Sequence, residues 1–211
     1  MWLSHMISRL VYWTCGVLLA LGNASCTGIV EGTADPGNPA AGGSGGSDSP
    51  NGNDPGASSF AQCAVCHGPT GEGTALGYEI RHPVRPYATW VVRHGRTGGE
   101  FPGSAMLGYD AGTVSDAQLS SIFDYLDGFP QPSDGQGLYL DYCRNCHGTD
   151  ARGGVTGVDI SDKAYNDALE KVREGEGSTN YGSRNMYMPA FPASRLSNAE
   201  VRAIADYIGT L

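Results

Sequence analysis

Residues 63–67 read CAVCH and residues 143–147 read CRNCH, so one pattern, CxxCH, occurs twice in a chain of 211 residues. CxxCH is the attachment signature of c-type haem, in which two thiols bond to the porphyrin and the histidine binds iron. A helical turn across this spacing brings both sulfur atoms to one porphyrin edge. The predicted covalent tethers of two haem c groups are Cys63, Cys66, Cys143 and Cys146, and the predicted proximal iron ligands are His67 and His147.

A single CxxCH motif is not specific for haem. The same spacing occurs in redox-active dithiols and in half of many zinc sites. A haem site also needs a second axial ligand, or an open position, and helices that enclose the ring. Two true haem sites should therefore show both features at similar distances from each motif.

The two halves of the chain are duplicates. His147 lies 80 residues after His67, and residues 173–175 (REG) follow residues 93–95 (RHG) at the same offset. From the methionines onward the offset is 82 and holds to the end of the chain, so a two-residue insertion lies between these points. Self-similarity at a fixed period indicates repeated structural units.

The last segment of each half is predicted to be a helix. Ser115 with Gln118, and Ser197 with Glu200, have the spacing of a capping box. Apolar residues then recur at helical spacing, and each set would form one apolar face. These residues are Leu119, Ile122, Phe123 and Leu126 in the first half and Val201, Ile204, Ala205 and Ile208 in the second.

One methionine in each half is a candidate distal ligand. Met106 follows His67 by 39 residues, and Met188 follows His147 by 41. A thioether opposite an imidazole raises the reduction potential, because soft sulfur favours ferrous iron. Methionine is more often core filler, but matched positions in duplicated halves favour the ligand role. Met186 is the competing candidate in the second half. Met188 is favoured because the proline that follows it stiffens its loop.

Taken together, these features resemble class I c-type cytochromes, and specifically dihaem proteins of the cytochrome c4 kind. The resemblance covers about residues 58–211 and implies an all-α fold of two tandem cytochrome c domains, each wrapped around a covalent haem. In the second half, Tyr139 stands four residues before Cys143, and Met188-Pro189 resembles the ligand loop of the family. Such domains cross their first and last helices, with aromatic residues such as Tyr139 and Tyr207 near the crossing.

The first half departs from the family pattern. Phe60 stands three residues before Cys63 instead of four, and no proline follows Met106. The ligand loop of this half should therefore be softer. His82 and His94 are the alternative ligands there, and a haem with two histidine ligands would have a lower potential. His94 aligns with a glutamate in the second half, which indicates a solvated helix end.

The N-terminal segment resembles an export signal. An apolar run at residues 10–21 follows Arg9, and its length is short for a permanent membrane span. Cys26 comes next and resembles the acylated cysteine of bacterial lipoproteins, although Asn23 stands where leucine is usual. The alternative is ordinary cleavage after Ala24 that leaves Cys26 as a spare thiol. We expect lipid attachment at Cys26.

The expected domain organisation follows from composition. Residues 27–58 are mostly Gly, Ser, Pro, Asp and Asn and cannot bury enough surface to fold. The expected parts are a signal peptide at 1–25, an anchor and flexible linker at 26–57, a cytochrome c domain at 58–130, a linker at 131–135 and a second cytochrome c domain at 136–211.

Charge and motifs limit the function. A formal net charge of -9 disfavours nucleic acid and suits docking onto basic surfaces of redox partners. No catalytic triad, phosphate loop or paired carboxylate set is evident. The sequence predicts an exported, periplasm-facing carrier of single electrons between a donor and an acceptor protein, attached to a membrane only through its N-terminal lipid.

The sequence leaves two alternative functions open. One is a haem-dependent oxidoreductase, peroxidase or gas sensor in which the softer Met106 loop opens the sixth iron position. The other is the electron-donor subunit of a larger membrane complex.

Overall fold

Each half of the chain builds helices around its CxxCH motif. The computed structural model describes residues 54–96, 105–183 and 185–211. The first half contains α1 (Pro55–His67), α2 (Arg85–His94) and α3 (Asp116–Asp127). The second contains α4 (Gly135–Tyr142), α5 (Arg144–His147), α6 (Tyr165–Glu174) and α7 (Asn198–Ile208). A two-stranded antiparallel sheet of β1 (Arg152–Gly153) and β2 (Val158–Asp159) is the small addition to the predicted all-α fold, which is otherwise confirmed.

The helix starts follow local capping chemistry. The carboxylate of Asp54 accepts a 2.6 Å hydrogen bond from the Gly56 amide, so α1 begins at Pro55, ahead of the boundary expected at residue 58. Both predicted capping boxes form, since the hydroxyls of Ser115 and Ser197 each accept from the third helical amide at 3.2 Å. A cap of this kind stabilises a helix by about 1 kcal/mol.

In each half, the first helix crosses the last helix at a glycine. A Cβ atom on Gly56 would collide with the backbone carbonyl of Ser121 in α3, and one on Gly135 would collide with that of Ala203 in α7. Glycine is therefore required at both crossings, because only its bare Cα allows the two backbones to approach this closely. Neither glycine has a local sequence signal that predicts this role.

An aromatic pair seals each crossing. The rings of Phe60 and Tyr125 lie 5.7 Å apart in the first half, and those of Tyr139 and Tyr207 lie 5.6 Å apart in the second. The predicted apolar face of α3 is fully buried, whereas on α7 the first two predicted residues are buried and the last two are half-buried. Each half thus has its own hydrophobic core.

A helix break explains why Phe60 stands one residue closer to its motif than Tyr139 does. The two residues are equivalent, since each packs against the tyrosine of the crossing helix. The helix α1 runs unbroken through the first motif. In the second half α4 ends at Tyr142, and Cys143, with φ -117° and ψ -40°, separates α4 from α5. The second half has one more residue between its aromatic residue and its motif, and the break between α4 and α5 accommodates it.

Both halves belong to one compact unit. In the part of the chain that the structure describes, no helix combines the length and apolar character that crossing a membrane requires. The predicted signal segment, Cys26 and nearly all of the predicted first linker lie outside the described residues.

Candidate haem sites

The two cysteines of the first motif lie on α1, which ends at His67. In the second motif, Cys143 directly precedes α5 and Cys146 lies on it. Cys63, Cys66, Cys143 and Cys146 are all half-buried. Burial, and then the charge of Cys66, raises the pKa of Cys63, and burial raises the pKa of Cys143 to about 12. A redox-active dithiol needs a thiolate near neutral pH. The raised pKa values therefore disfavour the redox dithiol that a single CxxCH motif left open.

The zinc alternative also lacks support. Within residues 54–96, 105–183 and 185–211, no group of three or more His, Cys, Asp or Glu side chains is arranged to hold a metal ion. Neither CxxCH motif thus forms part of a zinc-type ligand set in that part of the chain.

The histidine of each motif presents one ring nitrogen to a backbone carbonyl. His67 Nδ1 lies 2.8 Å from Tyr78 O, and His147 Nδ1 lies 3.4 Å from Val158 O. A carbonyl only accepts, so Nδ1 carries the proton and Nε2 keeps its lone pair for a metal. Burial lowers the pKa of both histidines, which favours the neutral form that binds iron.

A glycine backs the histidine of the first site. A Cβ atom on Gly77 would lie 3.0 Å from His67 Nδ1 and 2.8 Å from Cys66 O. The equivalent glycine of the second half, Gly157, has open space where a Cβ would stand. The imidazole of the first site is therefore packed more tightly from behind than that of the second.

The predicted distal methionines occupy equivalent places. Each forms an isolated antiparallel bridge to a residue just beyond the preceding helix, Met106 to Arg96 and Met188 to Glu176. The Arg96 amide donates to Met106 O at 2.8 Å, and the Glu176 amide donates to Met188 O at 2.8 Å. These backbone hydrogen bonds thus fix the position of Met106 relative to α2 and of Met188 relative to α6.

In each half, an arginine binds the segment that follows the methionine. Arg93 on α2 and Arg173 on α6 each donate to two backbone carbonyls after the methionine and to the first residue of the last helix. The acceptors are Tyr109 O, Val114 O and Asp116 Oδ1 for Arg93, and Phe191 O, Leu196 O and Asn198 Oδ1 for Arg173. The two arginines occupy matched positions in the repeat, but their sequence context does not predict these contacts.

Burial distinguishes the two methionines of the second half. Met186 is 57% exposed, whereas Met188 is half-buried. Between them, the Tyr187 ring packs 5.1 Å from Tyr87 and 4.9 Å from Tyr181. Met188 is thus the less exposed of the two methionines and the better placed candidate ligand.

The two alternative histidines of the first half are engaged elsewhere. His82 uses both ring nitrogens, Nδ1 at 2.5 Å from Asp141 Oδ2 and Nε2 at 2.8 Å from Phe129 O. His94 is exposed at the end of α2, and its ring stacks on Trp90 at 4.4 Å. In this arrangement His82 has no nitrogen left for iron.

The donor set fits haem c in both halves. Each half supplies two thiols, one imidazole with an available Nε2 and one thioether on a backbone-tethered loop. Covalent haem with histidine and methionine ligands requires this combination.

Comparisons with known proteins agree with this geometry. Residues 53–126 and again residues 130–208 match the family described as cytochrome C oxidase, cbb3-type, subunit III. Over 168 residues the chain is 27% identical to a Helicobacter pylori (strain 52) protein named cbb3-type cytochrome c oxidase subunit CcoP. That alignment covers 72% of this chain and 56% of the relative, so the chain spans a little over half the length of the curated relative. No solved structure matches the chain.

Each family match contains one CxxCH motif, one bridged methionine and one glycine-mediated helix crossing. The duplication seen in the sequence is thus a duplication of the whole family domain. The chain belongs to the family of cbb3-type cytochrome c oxidase subunit III, as a dihaem c-type cytochrome with one haem c domain in each half.

Proposed function

We propose that this protein carries single electrons between redox partners at the bacterial envelope. The observation that supports the proposal is the repeated donor set, in which two thiols, a histidine with Nε2 available and a tethered methionine recur in both halves. When bound, haem c supplies a one-electron ferric/ferrous couple. Two such couples in one chain allow charge to be relayed between the halves.

The residues of the chain have distinct roles in this proposal. Cys63, Cys66, Cys143 and Cys146 are the covalent tethers, His67 and His147 the proximal ligands, and Met106 and Met188 the distal ligands. The carbonyls of Tyr78 and Val158 hold the proton on Nδ1 of each histidine, so that Nε2 stays available. With both axial positions taken by side chains, oxygen or peroxide would meet no open position, which favours a carrier over a peroxidase or gas sensor.

The proposed partner is a membrane oxidase complex. The Helicobacter pylori relative is named as a subunit of a cbb3-type cytochrome c oxidase, and this resemblance favours the donor-subunit alternative over a free carrier. We propose that residues 1–25 export the chain, that Cys26 carries the lipid that attaches it to the membrane, and that residues 26–57 link this anchor to domains at 58–130 and 136–211. The protein would then face the periplasm.

The electron-carrier role is tested by exposing the reduced holoprotein to carbon monoxide. We expect no rapid binding at either haem, because side chains fill both axial positions. Rapid binding at one haem would instead support an enzyme or gas sensor. As a positive control, Met106→Ala should open one position and bind carbon monoxide at one haem only.

The membrane partnership is tested by isolating the full chain from membranes and comparing it with the Cys26→Ser variant. We expect the unaltered chain to co-purify with oxidase subunits and also to remain in membranes that lack the oxidase, whereas the variant should leave membranes that lack the oxidase. Recovery of both proteins in the soluble fraction would contradict the anchor, and membrane recovery without oxidase subunits would contradict the partner.

A further inference from the structure

A buried histidine and a buried aspartate join the two halves of the molecule. His82 lies in the loop before α2 and Asp141 lies on α4, and the two residues are each 6% exposed. Their side chains approach within 2.5 Å, from His82 Nδ1 to Asp141 Oδ2. In the part of the chain that the structure describes, the other carboxylate oxygen of Asp141 has no hydrogen-bond partner. His82 is thus the main compensation for this buried carboxylate.

The hydrogen-bond partners of His82 determine its protonation state. The second ring nitrogen, Nε2, lies 2.8 Å from the carbonyl oxygen of Phe129. A carboxylate and a carbonyl can only accept, so both contacts are satisfied together only when both ring nitrogens carry protons. A neutral imidazole would leave one buried acceptor facing a lone pair. The geometry therefore requires a proton shared by the His82–Asp141 pair, and ordinary pKa values place it on the histidine.

The groups around His82 shift its pKa in opposite directions. Burial by itself lowers the pKa of His82, but the hydrogen bond and charge of Asp141, together with the Phe129 carbonyl, outweigh burial and raise the pKa above its ordinary value. Arg195, in the loop before α7, lowers the pKa of His82. The other charged groups around the pair are Glu79 from the same loop, Arg144 on α5 and Asp127 at the end of α3.

The duplication provides an internal comparison for this pair. At the offset of the first part of the repeat, His82 corresponds to Asp162, which is exposed beside Lys163. Asp141, two residues after Tyr139, corresponds to Gln62, two residues after Phe60, and Gln62 is exposed. Neither member of the pair has a like residue in the other half. The pair is therefore specific to the contact between halves rather than part of the cytochrome domain itself.

The backbone of His82 indicates that its position is enforced. Its φ angle is +52°, in the left-handed region, and proline follows it. Such a conformation persists only where surrounding contacts over-determine it. The Tyr142 ring stacks against the His82 ring with centroids 5.9 Å apart, and this contact also comes from α4.

The same interface reaches both candidate haem sites. Asn145, inside the second CxxCH motif, donates to Glu79 O at 2.9 Å. Glu79 directly follows Tyr78, whose carbonyl holds His67 Nδ1. Arg144 places its guanidinium 4.8 Å from the centre of the Tyr78 ring. A shift between the halves would therefore move the second motif relative to the loop that supports the first proximal histidine.

We propose that His82, as an imidazolium bound to Asp141 and to the Phe129 carbonyl, is a positioning residue that fixes the separation of the two haem sites. This inference rests on the proposed electron-transfer function, because the separation matters for electrons passing between the halves. Loss of the proton breaks one of the two contacts, loosens the interface and slows that transfer.

The direction of the pH dependence follows from the raised pKa. A group whose pKa is higher in the folded than in the unfolded state stabilises the fold fully below the unfolded value, which is about 6.5 for histidine. The stabilisation disappears as pH rises through the folded pKa of His82. Stability and transfer between the haems should therefore both fall as pH rises above the ordinary titration range of histidine.

The first test measures the protonation state of His82 directly in the unaltered protein. The reduced, diamagnetic holoprotein labelled with 15N-histidine is studied by NMR, and the His82 signals are identified by their loss in His82→Gln. We expect the form with both ring nitrogens of His82 protonated to predominate at about pH 6.5, where an ordinary histidine is half protonated. One unprotonated ring nitrogen at this pH would overturn the proposal, whatever the outcome for electron transfer.

The second test follows thermal unfolding and electron exchange between the haems from about pH 6 to about pH 9. The exchange rate is measured after rapid photoreduction of one haem. In the unaltered protein both quantities should fall together, with the rate falling severalfold. His82→Gln and Asp141→Asn should remove most of this pH dependence, and Asp162→Asn, at the equivalent exposed position, should preserve it.

Two results would contradict the positioning role. Retention of the full pH dependence in His82→Gln would show that another group titrates. A pH-dependent unfolding temperature with a constant exchange rate would show that the pair only stabilises the fold. Absence of any electron exchange, with the NMR result as expected, would count against the proposed function and leave the protonated pair in place.

Discussion

The two halves carry the same donor set, but they differ in which donor is held more firmly, the histidine in the first half or the methionine in the second. In the first half, His67 is held at 2.8 Å by a carbonyl and backed by Gly77, whereas His147 lies 3.4 Å from its carbonyl and has open space behind it. In the second half, we expect the methionine loop to be the stiffer one. Met188 shares two backbone hydrogen bonds with Glu176, at 2.8 and 2.9 Å, and proline follows it.

This difference shows how one fold can yield two unlike sites. The helix crossings, the arginine contacts and the bridged methionines are retained in both halves, so the scaffold is shared. The residues that tune each ligand are not shared. We therefore expect haems of different potential, with the first half more sensitive to changes behind its histidine and the second more sensitive to changes around its methionine.

The largest effect should follow removal of one pair of tethers. The double variant Cys63→Ala/Cys66→Ala should lose one covalent haem, because no thiol of that half remains to bond to the porphyrin. The matched variant Cys143→Ala/Cys146→Ala should lose the other. Haem content by absorbance and protein mass should fall to half in each. Unchanged haem content in either variant would show that its motif is not the attachment site.

Removal of the distal methionine should be next in size. Met188→Ala and Met106→Ala should each abolish the absorption band from sulfur ligation at one haem and lower the potential of that haem, since the thioether favours ferrous iron. Met186→Ala is the matched control and should leave the spectrum unchanged. Loss of the band in Met186→Ala instead of Met188→Ala would reverse the assignment in the second half.

The helix crossings should come next. Gly56→Ala and Gly135→Ala each force a methyl group into a backbone carbonyl of the crossing helix, which should lower the free energy of unfolding by about 1–3 kcal/mol. Gly128→Ala, whose Cβ would meet its nearest atom at 3.3 Å, is the milder control. Thermal unfolding of the holoprotein measures all three. Equal stability of the three variants would contradict the close crossing.

The smallest effect should come from the glycine behind the first histidine. Gly77→Ala would press a methyl group against the His67 ring, and we expect the potential of the first haem to shift while that of the second stays constant. Gly157→Ala meets no atom within 4 Å but has φ +68°, so it should cost about 1–2 kcal/mol of stability and shift neither potential. Spectroelectrochemistry resolves the two haems. Equal shifts in both variants would remove the contrast between the sites.

Features carried by local pattern could be predicted from the sequence. The capping boxes at Ser115 and Ser197 and the apolar face of α3 depend on residues a few positions apart, and all formed as expected. The bridged methionines were found because duplication supplied a second copy for comparison. Only the sequence positions were predicted in that case, and the backbone bonds that hold them were not.

Features that depend on contacts between distant segments were not predictable. Gly56 gave no sign of the helix that crosses it, because its neighbour is Ser121. His82 was expected as a possible iron ligand, but its partner, Asp141, lies 59 residues away and on the other half. A histidine in a loop has many possible partners, and the choice among them is set only when the halves pack together.

The central claim is that each half of the chain holds one haem through two thioether bonds. It is tested most directly by mass spectrometry of peptides cut from the holoprotein, made in the presence of haem-attachment machinery. We expect the peptide with residues 63–67 and the peptide with residues 143–147 each to carry the mass of one haem. Recovery of either peptide with both thiols unmodified would contradict the account for that half.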